Sequence, residues 1–125
     1  MAIKQKNIFV VDDDELMAAM LKDHLLQNPL HKVTVFNTGE DCIKNLHLSP
    51  DIIFLDYELD SVNAQAKDGY QILQQIKKLD KDVQVIMLSS QDEYGKALQT
   101  VVKGALEYVV KGDDAFKRID HILGD

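Results

Sequence analysis

Five short apolar runs, each followed by a segment of helical period, restrict this chain more than any other feature. The runs are IFVV (8–11), KVTVF (32–36), DIIFLD (51–56), VQVIML (83–88) and LEYVV (106–110). The first is followed by Leu16, Met17, Met20, Leu21 and Leu25, spaced for one helix face that must end near Asn28-Pro29. Ile43 and Leu46 mark a second helix with Thr38 as its N-cap, and Tyr70, Ile72, Leu73, Ile76 and Leu79 a third. A fourth runs from about Asp92 to Val102, and a fifth holds Ala115, Phe116, Ile119, Ile122 and Leu123. Strand and helix alternating to the end predict an α/β fold, a doubly wound parallel sheet with helices on both faces. The unbroken apolar middle of 51–56 makes it a central strand.

With 125 residues, 46% hydrophobic and 28% charged, the chain has the size and mix of a single domain spanning 1–125. No apolar run approaches the ~20 residues of a membrane span, and the start MAIKQKN lacks a signal peptide's apolar stretch, so a soluble, cytoplasmic protein without membrane contact is expected. A formal net charge of −7 disfavours direct nucleic-acid binding, and Arg118 is the only arginine. Cys42, the single cysteine, stands at helical spacing among apolar residues and reads as buried packing.

In an open α/β sheet, ligands bind beyond the carboxyl ends of the strands. Here Asp12, Asp13 and Asp14 follow the first strand, Asp56 the third, Ser89 and Ser90 the fourth, and Lys111 the fifth. Adjacent carboxylates repel and raise one another's pKa, so a bound cation gives the triplet a reason that folding alone does not. Asp14 reads as a helix cap, and capping accounts for one of its two neighbours at most. The four histidines lack metal-site spacing and read as surface residues.

Taken together, VVDDDE, PDIIFLDYEL, the DG opening the third helix, VIMLSS and GALEYVVKG resemble the receiver domain of two-component response regulators over essentially the whole chain. The resemblance implies a flavodoxin-like, CheY-like five-stranded sheet of order 2-1-3-4-5. It also implies Mg²⁺-dependent acceptance of a phosphoryl group on Asp56. In that pattern Asp13 binds Mg²⁺ directly, Asp12 through water, and the Glu58 backbone carbonyl completes the protein ligands. Ser89 hydrogen-bonds the phosphoryl group, Lys111 pairs with it, and Tyr108 is the aromatic whose rotamer follows phosphorylation. The implied donor is a sensor histidine kinase or histidine phosphotransfer protein, and the implied output is a downstream protein or effector domain. Such a protein is no conventional enzyme; it catalyses its own phosphorylation and dephosphorylation.

The chemistry is consistent with these roles. A carboxylate meets an anionic phosphoryl donor only when repulsion is cancelled, which Mg²⁺ and a lysine can do. On this reading Asp56 is already ionised and needs no general base. Three departures from the family stand out: Asp60 replaces a proline and Ser61 to Lys67 form an insertion in the same loop, Ser90 replaces a small alanine, and Gly112 replaces a proline. A cis Lys111-Gly112 peptide would cost about 2.5–4 kcal/mol, so a trans bond is expected, with Gly112 in a conformation few residues tolerate. The alternative is a phosphorylation-independent receiver-like interaction module, which usually lacks one of the acids, the hydroxyl or the lysine. A haloacid-dehalogenase-like phosphatase would need Asp where Glu58 stands, and a flavodoxin-like cofactor binder a hydroxyl- and glycine-rich first loop. With no effector domain after Asp125, the chain is expected to bind another protein or to be the receiver portion of a longer regulator.

Overall fold

The computed structural model describes residues 5–125. Strands β1 (Lys6–Val11), β2 (His31–Phe36), β3 (Ile52–Asp56), β4 (Gln84–Ser89) and β5 (Glu107–Val110) alternate with helices α1 (Glu15–Leu25), α2 (Gly39–Lys44), α3 (Gly69–Leu79), α4 (Tyr94–Val102) and α5 (Ala115–Leu123). A 3₁₀ turn, Leu46–Leu48, follows α2. All four strand pairings are parallel, in the order β2-β1-β3-β4-β5. Both topology and sheet order agree with the sequence reading.

Alternation along the central strands divides the core in two. Ile8, Val10, Ile52, Phe54, Ile86 and Leu88 point to one face, where Leu21 and Leu25 of α1 and Ile119 of α5 meet them. Phe9, Val11, Ile53, Leu55, Val85 and Met87 point to the other, against Cys42 of α2 and Ile72, Leu73 and Ile76 of α3. Burial pushes the Cys42 thiol up to about 12, so it stays protonated and inert.

Side-chain caps fix where α1, α2 and α3 begin. The Asp14 carboxylate accepts from the amides of Leu16 and Met17 (3.1 and 3.2 Å), and the Thr38 hydroxyl accepts from the Asp41 amide (3.1 Å). Asp68 and Gln71 form a reciprocal capping box at the start of α3. No helix among the described residues is long and apolar enough to cross a membrane.

Some expectations are corrected. Leu16, Met20 and Leu79 are exposed, because α1 turns Ala18, Leu21 and Leu25 to the sheet and α3 turns Ile72, Leu73 and Ile76. The fifth strand lies at the sheet edge, as the order 2-1-3-4-5 implies, and of its residues only Val109 is buried. His31 is a core residue rather than a surface one: its Nδ1 bonds the Leu25 carbonyl (2.9 Å) and its Nε2 lies 3.6 Å from Asp125. His24 is also largely enclosed, stacked on Phe116 and bonded to Asp120 at 2.7 Å.

A candidate acidic site at the carboxyl edge of the sheet

Parallel pairing brings every strand's carboxyl end to one edge, and β1 and β3 are neighbours at the point where the winding direction changes. Asp12, directly after β1, and Asp56, the last residue of β3, are therefore adjacent and nearly fully buried. Carboxylate oxygens of Asp12, Asp13 and Asp56 lie within 4.8 Å of one another. From β5, the Lys111 amine reaches Asp12 Oδ2 and Asp56 Oδ1, each at 3.1 Å. The Lys111 amide donates to the Ser89 carbonyl (2.8 Å), which carries the strand pairing past the last residue of β5 and places the lysine.

The backbone past Asp56 packs tightly. Gly69, which opens α3, donates its N–H to the Tyr57 carbonyl (2.8 Å). A Cβ there would collide with the Asp56 carbonyl oxygen and come within 2.6 Å of Tyr57 Cα. Glycine in the DG pair is thus required by the close approach of a helix start to the strand end that carries Asp56.

Three carboxylates face one ammonium, so negative charge is in excess. Burial first, and Asp12 second, push the Asp56 carboxyl up to about 7, with Lys111 opposing them. Burial also works against the charge of Lys111, but Asp56 and Asp12 outweigh it and hold the amine above its usual range. Burial and Asp12 therefore make Asp56 harder to ionise than an ordinary aspartate, and positive charge beyond that of Lys111 would favour its carboxylate. An all-oxygen donor set with surplus negative charge suits a hard divalent cation, which would supply it.

This predicts a pH dependence for the metal-free protein. Unfolded, Asp56 releases its proton near its ordinary value of 3.8; folded, it holds the proton to about 7. Between these values the native state binds more protons, so stability falls as pH rises, by a contribution on the order of 4 kcal/mol. Chemical denaturation from pH 4 to 8 checks this, and Asp56→Asn should flatten the slope over that range.

Two neighbouring contacts escape sequence reasoning. Glu58 was expected to contribute its backbone carbonyl, yet its carboxylate accepts from the Ser89 hydroxyl (2.9 Å) and from the Ser90 amide and hydroxyl (2.7 and 2.6 Å). Ser89 thus faces Glu58 and is not joined to the acidic trio. The Asp13 Oδ2 atom accepts from the Ser61 hydroxyl (2.6 Å) and the Val62 amide (3.0 Å), so the insertion folds back onto the triplet. Tyr108 is half-buried, edge-on to Tyr57, with its hydroxyl donating to the Gln91 carbonyl (2.8 Å). No peptide among the described residues is cis, so Lys111-Gly112 is trans as expected. Gly112 has a φ of 158°, at the outer limit of the region that favours glycine, with open space where a Cβ would stand.

The sequence model of the response regulator receiver domain matches residues 8–122. The chain is 28% identical over 116 residues to the chemotaxis protein CheY of Bacillus subtilis, covering 92% of each protein. Among solved structures, the BeF3-activated DrrB receiver domain aligns with a TM-score of 0.79 at 27% identity, over 97% of this chain and 99% of that one. The CheX-CheY-BeF3-Mg complex from Borrelia burgdorferi contains a chain of the same fold, with a TM-score of 0.81 and 24% identity over 95% of this chain and 87% of that one.

Proposed function

This chain belongs to the response regulator receiver domains, and from that premise we propose that it accepts a phosphoryl group on Asp56 and later releases it by hydrolysis. The observation that carries the reading is the placement of Asp56, buried at the end of β3, within 3.1 Å of the Lys111 amine and beside Asp12 and Asp13. An Asp56 oxygen forms a bond to phosphorus as the donor's bond breaks, releasing acetate from acetyl phosphate or imidazole from a phosphohistidine. Water then attacks phosphorus as its bond to the Asp56 oxygen breaks, releasing inorganic phosphate and restoring the carboxylate.

Asp13, the Glu58 carbonyl and Asp56 would hold Mg²⁺, with Asp12 acting through water. When bound, Mg²⁺ neutralises charge between carboxylate and phosphoryl oxygens. Lys111 supplies the protein's own positive charge and orients the acceptor. Ser89 donates to the phosphoryl group, which requires its hydroxyl to leave Glu58. That exchange motivates the output: the segment after β4 moves, the Tyr108 hydroxyl loses its Gln91 anchor, and the surface formed by α4, β5 and α5 changes its affinity for a downstream protein or effector domain. A cytoplasmic histidine kinase or histidine phosphotransfer protein is the donor of matching chemistry.

Incubation with acetyl phosphate and Mg²⁺ followed by intact-mass spectrometry tests the proposal. A gain of one phosphoryl group supports it; no gain favours the phosphorylation-independent interaction module. A related prediction concerns lifetime. Glu58 and Gln91, two residues beyond Asp56 and two beyond Ser89, resemble family positions that flank the approach of water to the acceptor, so replacing both with alanine should shorten the phosphorylated half-life by about 10-fold, equivalent to about 1.4 kcal/mol of barrier. An unchanged decay rate would remove this pair from the control of hydrolysis.

A further inference from the structure

We infer that Ser61, in the insertion, positions Asp13 as a one-oxygen ligand and so favours Mg²⁺ over Ca²⁺; this rests on the metal reading proposed above. Asp13 Oδ2 accepts two hydrogen bonds, from the Ser61 hydroxyl at 2.6 Å and the Val62 amide at 3.0 Å. A carboxylate oxygen has about two lone-pair sites, so both are engaged and only Oδ1 remains for a cation. The Ser61 amide meanwhile donates to the Glu58 carbonyl at 3.3 Å. One residue therefore touches two of the three groups proposed to bind the metal directly.

Ser61 is held in place from both sides. Leu59, two residues earlier, is buried in the core cluster that includes α3, and the Glu58 carboxylate is tied to Ser89 and Ser90. Later in the loop, Asn63 accepts from the amides of Gln65 and Ala66, and Glu40 of α2 accepts from the Lys67 amide. The two donors on Asp13 thus belong to a segment with fixed ends and internal turns, which lets them orient the carboxylate.

The consequence is selective. Mg²⁺ takes six ligands in near-ideal octahedral geometry, one oxygen from each carboxylate, whereas Ca²⁺ takes six to eight and readily uses both oxygens of one carboxylate. A carboxylate with one oxygen already saturated suits the first ion and denies the second its bidentate mode. Removing the Ser61 hydroxyl leaves the Val62 amide as the one remaining of these two donors, which opens a lone pair on Oδ2 and loosens the carboxylate toward chelation.

Isothermal titration of the whole protein with Mg²⁺ and, separately, Ca²⁺ tests this on the wild type, Ser61→Ala and Ser61→Thr. Ser61→Ala should weaken Mg²⁺ binding about 10-fold, at the low end of losses from outer-shell changes. Ca²⁺ binding should stay level or tighten, and Ser61→Thr, which keeps the hydroxyl, should restore the wild-type ratio. Thermal melts without metal identify any loss of fold. Unchanged or tighter Mg²⁺ binding by Ser61→Ala would overturn the inference, as would equal losses for both ions, which signal only a structural role. If the wild type itself takes up no Mg²⁺, the metal reading falls and this inference with it; wild-type binding with an indifferent Ser61→Ala removes this inference alone.

Discussion

Replacing Asp56 with asparagine should abolish labelling by acetyl phosphate while leaving the fold in place. An amide oxygen is not an ionised nucleophile and cannot form the acyl phosphate, so the loss is complete rather than partial. Size and shape are almost unchanged, and Lys111 keeps its 3.1 Å contact with Asp12, so no buried ammonium is left unpaired. The substitution also removes a buried carboxyl whose ionisation is opposed by burial and by Asp12. The variant should therefore be as stable as the wild type or more so at pH 8, a gain in stability at the expense of function. Intact-mass spectrometry reads the first effect and urea denaturation the second. Stoichiometric labelling of the variant would move the acceptor elsewhere.

The second large effect separates two adjacent aspartates. Asp13→Ala should weaken Mg²⁺ binding by more than about 100-fold, beyond the range of outer-shell losses, because it removes a direct ligand. Asp14→Ala should leave Mg²⁺ affinity within about 3-fold and instead cost about 0.5–2 kcal/mol of stability, since its carboxylate caps α1 through the Leu16 and Met17 amides. Titration calorimetry and thermal melts on both variants distinguish the roles. Equal losses of Mg²⁺ affinity would show that the triplet acts as one diffuse charge and not as a ligand beside a cap.

The sequence is legible at this site where a residue's position on a strand decides its place. Asp56 ends a run that is buried at every residue, so its side chain had to emerge at the carboxyl edge of a central strand. Asp12 and Lys111 follow β1 and β5 for the same reason, and parallel pairing brings them to Asp56. Period alone is less reliable for side-chain orientation on the helices. Leu16, Met20 and Leu79 fit an apolar stripe yet are exposed, because helices over a parallel sheet bury only the narrow face that meets the strands. His31 went the other way: a ring that can bond the Leu25 carbonyl is satisfied inside, and its sequence neighbours give no sign of that partner.

Strand positions, the two-sided core, the helix caps at Thr38 and Asp14, and the acids, hydroxyl and lysine at the strand ends are all determined by the order of residues alone. They depend on periods of 2 and 3.6 and on caps only two or three residues long, which are local quantities. Only the tertiary structure decided that the Glu58 carboxylate would hold Ser89, 31 residues away, and that Ser61 would hold Asp13, 48 residues away. Those bonds depend on the path of the loop between β3 and α3, where no period operates. Each donor there had several acceptors of equal chemistry within the sequence, and the choice fell to whichever oxygen the packed sheet brought within reach.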